Sequence, residues 1–441
     1  MDRTNNNRKG RYHIWTIGCQ MNEADSRQLA AQLEAIGYTP CERANDADLV
    51  ILNTCVVRQQ AENKIYSRLG SLQRIKQDRP EMKIALMGCL VGVRDAGEIR
   101  KRFPYVDVFL APSETEPLIR FLGGHLDPEE PLQTDFHQIY TLPGQEKGRA
   151  VTAFVPAVLG CSHACSFCII PSRRGPEHSR PKEEILREIS ALARQGVREV
   201  MLLGQIIDRY GLDLPGGSDL AGLLQDAARF EDIWRIRFLT SHPNWFTDRL
   251  LETVASTPKI CPQLEIAVQS GSDEVLERMR RGYGVQKFVD MVGKIRSLIP
   301  DAAIHTDIIV GFPGETEAQF NESCEMLRLL RLDKVHIAKY SPRPGTLAAQ
   351  RYADDIPEDV KEHRRQYLDD VQVAIQEEQN RKLENTIVEV LAEGLDKHRW
   401  RGRTPQNRIV FFENARDCLG QLVNVKIERS SPFTMSGRAV S

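Results

Sequence analysis

Three cysteines, Cys161, Cys165 and Cys168, stand in one short loop with three and then two residues between them. Thiolates at this spacing can hold three irons of a four-iron cluster, leaving the fourth iron without a protein ligand. An open position of that kind separates a catalytic cluster from one that only carries electrons, as it separates catalytic from structural zinc. A zinc knuckle and a trio of buried core cysteines are the alternatives. His163 could complete a zinc site, but it lies between two of the cysteines, where reaching the same metal would strain the loop.

A second trio is dispersed along the chain. The runs from His13 to Gly18, Asp48 to Thr54 and Lys83 to Gly88 read as strands, and each is followed at once by a cysteine: Cys19, Cys55 and Cys89. Helical stretches separate them, from Glu23 to Ile36 with Gly37 as its stop, and from about Ala61 to Lys76. Alternating β and α segments build a parallel sheet, and right-handed crossovers put all the C-terminal strand ends on one rim. Cys19, Cys55 and Cys89 are therefore expected to meet. Any one of them alone would pass as a buried cysteine, but three at the same point of three consecutive units point to a metal. Gly18 and Gly88, without side chains, would let the backbone approach a bulky cluster. Cys41, Cys261, Cys324 and Cys418 fit no such pattern and are read as structural.

The elements that must position these residues fall into an α/β chain with three parts: an N-terminal parallel-sheet domain over 11–125, a central domain over 150–372 and a small C-terminal β-barrel over 376–440. A polar connection over 126–149 joins the first two. Six strand-like runs separated by helices make the central part a partial, TIM-like (β/α)6 barrel, with function expected at the C-terminal strand ends. Those ends carry Gly204, Gln205, Gln269, Ser270, Gly311 and Arg343. Small residues there bring backbone amides near a nucleoside or carboxylate, and Gln269 could hydrogen-bond a ribose or an amino-acid group. Arg343 suits a carboxylate or a phosphate, though a solvated turn would also explain it. Beyond a long helix from Pro357 to about Leu383, short alternating strands and glycine turns suit a β-barrel. Lys397, Arg399, Trp400, Arg401 and Arg403 interleave cations with an aromatic, as phosphate contact and base stacking require; a soluble loop is the alternative.

Composition narrows the classes. Of 441 residues, 59 are Lys or Arg and 61 Asp or Glu, so a nucleic-acid surface would have to be a local patch. No apolar run is long enough to span a bilayer, and residues 1–10 read as a polar lead without a secretory signal. Ten cysteines are too sparse for a disulfide scaffold; in a reducing cytoplasm, clustered thiols suggest metal.

The loop from Cys161 to Cys168 resembles the signature of radical S-adenosylmethionine (SAM) enzymes. Thr16 to Asn22 with Asp25-Ser26, Asn53-Thr54-Cys55 and Met87-Gly88-Cys89 resemble the N-terminal domain of the methylthiotransferase family within that superfamily, and Gly402-Arg403-Thr404 with Asn407-Arg408 resembles the TRAM domain. The resemblance implies two 4Fe-4S clusters, an auxiliary one on Cys19, Cys55 and Cys89 and a SAM-binding one on Cys161, Cys165 and Cys168. One SAM would methylate a sulfur at the first, and a second SAM, cleaved at the other, would yield the radical that activates a ring carbon. Arg237 to Pro243 and Tyr340 to Thr346 most resemble the branch that adds a methylthio group to carbon 2 of isopentenyl-adenosine at tRNA position 37. Related branches act on threonylcarbamoyl-adenosine or on a ribosomal-protein aspartate, and a zinc-stabilised RNA-binding protein is the non-enzymatic alternative. The implied partners are a tRNA anticodon stem-loop and an electron donor such as flavodoxin or ferredoxin; a cytoplasmic monomer is expected. Two positions depart from that branch: Glu265 stands where it usually has His, and Ile206 where it usually has Asn.

Overall fold

Buried apolar residues at alternate positions dictate the first sheet. The computed structural model describes residues 9–56, 59–94, 96–124 and 139–440, so most of the expected connection over 126–149 lies outside the described residues. The chain forms two compact units, and the first (1–147) also takes in 159–162 and 169–177.

In the first unit, β1 (Gly10–Thr16), α1 (Gln20–Ala35), β2 (Tyr38–Pro40), β3 (Leu49–Thr54), α2 (Gln59–Asp78), β4 (Lys83–Gly88), α3 (Ala96–Arg102), β5 (Val108–Leu110) and α4 (Glu116–Gly123) follow in order. The strands pair in parallel in the order β2-β1-β3-β4-β5. All of β3 is buried, as expected of a central parallel strand covered on both faces. Leu49 and Ile51 pack with Leu29 and Leu33 of α1 and Leu118 of α4. Val50 and Leu52 point the other way, onto Ile65, Leu69 and Leu72 of α2. The helix expected from Glu23 starts three residues earlier, with extended Cys19 as its N-cap. The short edge strands β2 and β5 lack the length that makes a strand visible in sequence.

In the second unit, parallel strands Thr152–Pro156, Glu199–Leu203 and Arg235–Phe238 form one sheet, and Gln263–Glu265, Ala303–Val310 and Lys334–Lys339 another. Single bridges Ile236 to Ile260 and Ser241 to Ile266 stitch the two together. Among the described residues no pairing joins the first strand to the sixth, so the six make the expected open, partial barrel. The helix Glu358–Arg381 then leads to a closed five-stranded barrel of Ile387–Asp396, Arg399–Arg403, Ile409–Glu413, Leu422–Ser430 and Thr434–Ala439. Among the described residues no helix is long and apolar enough to cross a membrane.

One expectation fails here. The run from Lys397 to Thr404 is largely a strand, and alternation turns Trp400 inward, where it is 7% exposed among Val390, Val410, Phe412 and Val425. Trp400 is a core residue of the small barrel and cannot offer its face to a base.

Candidate active site

Parallel pairing of β1, β3 and β4 delivers the first cysteine trio to one rim. Beyond the strands the ladder continues for one more bond each: Ile17 N–H to the Asn53 carbonyl (2.9 Å) and Cys89 N–H to the Thr54 carbonyl (2.9 Å). A Cβ added at Gly18 would lie 3.1 Å from the Cβ of Cys55 and 2.9 Å from the Asn22 amide; one at Gly88 (φ +97°) would lie 2.5 Å from the Thr54 carbonyl. The two glycines thus let protein approach protein at these strand ends. Behind the thiols lies a buried polar mesh. Asn22 Nδ2 donates to Asn53 Oδ1 and to the Thr54 carbonyl (both 3.0 Å), Asn53 Nδ2 returns a bond to the Asn22 carbonyl (2.8 Å), and the Cys19 thiol donates to Asn22 Oδ1 (3.5 Å). Burial pushes the Cys89 thiol up to about 11; Arg174 opposes the shift, while the nearby thiols of Cys55 and Cys19 add to it. Cys55 and Cys89 are buried while Cys19 is exposed, and an iron-sulfur cluster fits this all-thiol donor set.

The second trio sits on a loop closed by its own backbone. Gly160 (φ +65°) is pressed so closely onto the Pro176 carbonyl that a Cβ would stand 2.0 Å from it, and Cys161 N–H donates to the Gly175 carbonyl (3.1 Å). Further on, Ser166 N–H donates to the Met279 carbonyl (3.0 Å), and the Ser166 carbonyl accepts from Ala348 N–H (2.7 Å). Cys165 Sγ is contacted by His163 Nδ1 (3.0 Å) and receives a hydrogen bond from Arg281 Nη1 (3.1 Å). His163 is therefore a neighbour of one thiol. Burial, then Arg281 and Arg209, hold its imidazole down to about 4, so it is neutral at pH 7. Its ring packs with His242 and Trp245, and the Arg209 guanidinium lies 4.4 Å from the Trp245 ring centre. Among the described residues no three His, Cys, Asp or Glu side chains converge as a single metal ion requires.

Nearby Asp208 accepts from His242 N–H through Oδ2 (2.9 Å), and burial pushes its carboxyl up from 3.8 to about 7. Between those values the folded chain holds a proton that the unfolded chain has lost, so this group's stabilising contribution falls as pH rises from about 4 to about 7. Thermal unfolding of an Asp208→Asn chain is expected to lose less midpoint temperature than the parent from about pH 5 to about pH 7. Identical pH slopes for the two chains would contradict that assignment.

The other strand-end residues divide. Gln205 and Gln269 are half-buried, and Gln269 is held at φ +77° by pairing with Ile308 on the next strand. A non-glycine residue in that region is strained and is a mark of functional strand ends. Arg343 is buried at 6% exposure. Gly204 and Gly311 serve packing: a Cβ would meet Ile207 Cα at 2.9 Å in one case and the Lys361 stem at 2.4 Å in the other. The Gly311 N–H is taken by Glu315 Oε2 (2.7 Å), and the Ser270 hydroxyl accepts from Ser272 N–H (3.2 Å). Ile206 is buried, and burial, with Asp307 beside it, pushes the Glu265 carboxyl up to about 7. On the small barrel Lys397, Arg399 and Arg401 are exposed, while Arg403 is held by Glu393 (3.2 Å) and Asn407 (2.9 Å). Sequence reading missed Arg281, Asp208 and Trp245, and held His242 only as part of the run from Arg237 to Pro243.

Fold and site together define a radical SAM protein with a TRAM domain. The Radical SAM superfamily model matches residues 155–327, the TRAM domain model 381–440, and one described as "Uncharacterized protein family UPF0004" 11–111. The tRNA-2-methylthio-N(6)-dimethylallyladenosine synthase of Chloroflexus aurantiacus is 43% identical over 99% of this chain and 93% of its own length. The enzyme of the same name from Carboxydothermus hydrogenoformans is 40% identical over 97% of this chain and 98% of its own. The chain belongs to the family of tRNA-2-methylthio-N(6)-dimethylallyladenosine synthases. Among solved structures, the radical SAM methyltransferase TsrM of Kitasatospora setae shares the fold, with TM-score 0.55 and 13% identity over 77% of each chain.

Proposed function

We infer that this chain is a radical SAM methylthiotransferase that converts N(6)-dimethylallyladenosine, the isopentenylated adenosine of tRNA, to its 2-methylthio form. The observation that carries the reading is identity of 40–43% over essentially the whole chain with synthases of that name, in a sequence that keeps both cysteine trios. Cys161, Cys165 and Cys168 hold the SAM-binding 4Fe-4S cluster, and Cys19, Cys55 and Cys89 hold an auxiliary one. When bound, the clusters and SAM supply one-electron cleavage of the sulfonium and the sulfur to be inserted. The chain's own residues do the rest. Arg281 holds Cys165 by its sulfur, Gln205, Gln269 and Arg343 bind SAM at the strand ends, and neutral His163 with His242 and Trp245 walls the loop from water. Lys397, Arg399 and Arg401 meet tRNA phosphates, and the target adenine at position 37 leaves its stack to reach the barrel mouth. Electrons come from a flavodoxin- or ferredoxin-type donor, and the enzyme works as a cytoplasmic monomer.

The test is anaerobic iron and sulfide content of the reconstituted chain beside its Cys161→Ala/Cys165→Ala/Cys168→Ala variant. Iron is expected to fall from about eight to about four per chain, as two cysteine-ligated four-iron clusters require, with loss of 5'-deoxyadenosine formation. The parent should methylthiolate anticodon stem-loops that carry the isopentenyl group. Zinc in place of iron would sink the enzyme reading, and modification only of threonylcarbamoylated loops would move the substrate.

A further inference from the structure

Helix α5 (Ile170–Arg174) begins two residues after Cys168 and ends on an arginine whose side chain is 3% exposed. Arg174 does not reach solvent. Its Nη2 donates to Asn22 Oδ1 (2.9 Å) and stands 3.7 Å from Asp25 Oδ2, Nη1 donates weakly to the Ser113 hydroxyl (3.4 Å), and the Cys89 thiol lies close enough to interact with its charge. Asn22 Oδ1 is the same atom that accepts from the Cys19 thiol. One buried cation therefore stands beside Cys89 and shares an amide oxygen with Cys19.

Its surroundings do not account for it as a structural ion pair. A buried guanidinium is costly unless closely paired, and the nearest carboxylate, Asp25, is held off at 3.7 Å and is itself served by Ser113 at 2.8 Å. Burial pushes the Asp25 carboxyl upward, which weakens it further as a counter-charge. The group that would repay the charge is an anion at the thiols. A four-iron cluster on three thiolates is such an anion, and its potential is set by net charge and by hydrogen bonds to sulfur.

We propose that Arg174 is a positioning residue for the auxiliary cluster: its guanidinium stands beside the Cys89 sulfur and holds the Asn22 amide next to Cys19, and its buried charge raises the cluster's reduction potential. This rests on the reading that Cys19, Cys55 and Cys89 hold a 4Fe-4S cluster. It also gives α5 a function, since the segment that follows the SAM-cluster cysteines in the chain supplies the auxiliary site with its cation.

The test uses the full chain carrying Cys161→Ala/Cys165→Ala/Cys168→Ala, so that only the auxiliary cluster is seen, and reads iron content and the fraction reduced by EPR at fixed ambient potential. With Arg174→Gln, iron should stay at about four per chain. At the parent's midpoint, the reduced-to-oxidised ratio should fall at least tenfold, which is about 59 mV for one electron. Arg174→Lys keeps the charge but cannot stand beside Cys89 and hold Asn22 at once, so its ratio should fall at least twofold. Ratios equal to the parent's in the iron-loaded variants overturn the proposal; should Arg174→Gln fail to take up iron, an unchanged Arg174→Lys ratio overturns it alone. Absence of iron from the parent of this series overturns instead the reading of the trio as a cluster site.

Discussion

An Arg237→Ala chain is expected to be less stable than the parent by about 3–5 kcal/mol, because it breaks a buried ion pair and strands the partner charge. Arg237 is wholly buried in the strand Arg235–Phe238, and its Nε meets Glu199 Oε1 at 3.1 Å, with that carboxylate 1% exposed. Its remaining donors cap carbonyls of the small barrel, Pro405 at 2.7 Å and Thr404 at 2.8 Å. Two residues earlier, Arg235 donates to the Arg403 carbonyl and pairs with Glu389 at 2.9 Å. Alanine would strand the Glu199 carboxylate, leave the Pro405 carbonyl without its donor and open a cavity, while the Thr404 carbonyl would keep the Asn407 N–H (2.9 Å). The TRAM barrel is therefore built onto the strands of the catalytic barrel by side-chain to backbone bonds that read no particular sequence. Urea denaturation measures the effect; a change below about 1 kcal/mol, the scale of an exposed pair, would show that the contact is dispensable.

Much of this arrangement can be read from the sequence, and what cannot be read has physical causes. Cys161, Cys165 and Cys168 are legible because their relation is local. Cys19, Cys55 and Cys89 are legible because parallel topology converts equal positions in three βα units into one place. Trp400 was misread although its signal is present: Arg399, Arg401 and Arg403 alternate with Trp400 and Gly402, the period of a strand, which sends the tryptophan inward. Sequence cannot say what fills the space beside Gly18 and Gly88; here it is Asn22 and Thr54. Arg174, Arg237 and Arg281 were invisible for a different reason. Each acts through partners far along the chain (Asn22, Thr404 and Cys165), and a charged residue has no periodicity that distinguishes a buried role from a solvated one.

A Gly88→Ala chain is expected to lose the auxiliary cluster proposed on Cys19, Cys55 and Cys89 while keeping the one proposed on Cys161, Cys165 and Cys168. The backbone at Gly88 has φ +97°, a region that disfavours any side chain, and a Cβ there would stand 2.5 Å from the Thr54 carbonyl and 2.7 Å from Asn53 Oδ1. Neither atom can yield. The Thr54 carbonyl accepts from Cys89 N–H at 2.9 Å and from Asn22 Nδ2 at 3.0 Å, and Asn53 Oδ1 accepts from Asn22 at 3.0 Å, so relief must come from parting the ends of β3 and β4. Those ends carry Cys55 and Cys89. Displacing the support of a ligand set typically lowers metal affinity by about 10–100-fold, and here two of the three proposed ligands move together. Reconstituted protein should hold about four irons in place of about eight, and it should still form 5'-deoxyadenosine from SAM with no methylthio product on tRNA. Retention of all the iron, or loss of SAM cleavage along with the methylthio product, would mean that the strand ends do not serve a cluster separate from the one on Cys161, Cys165 and Cys168.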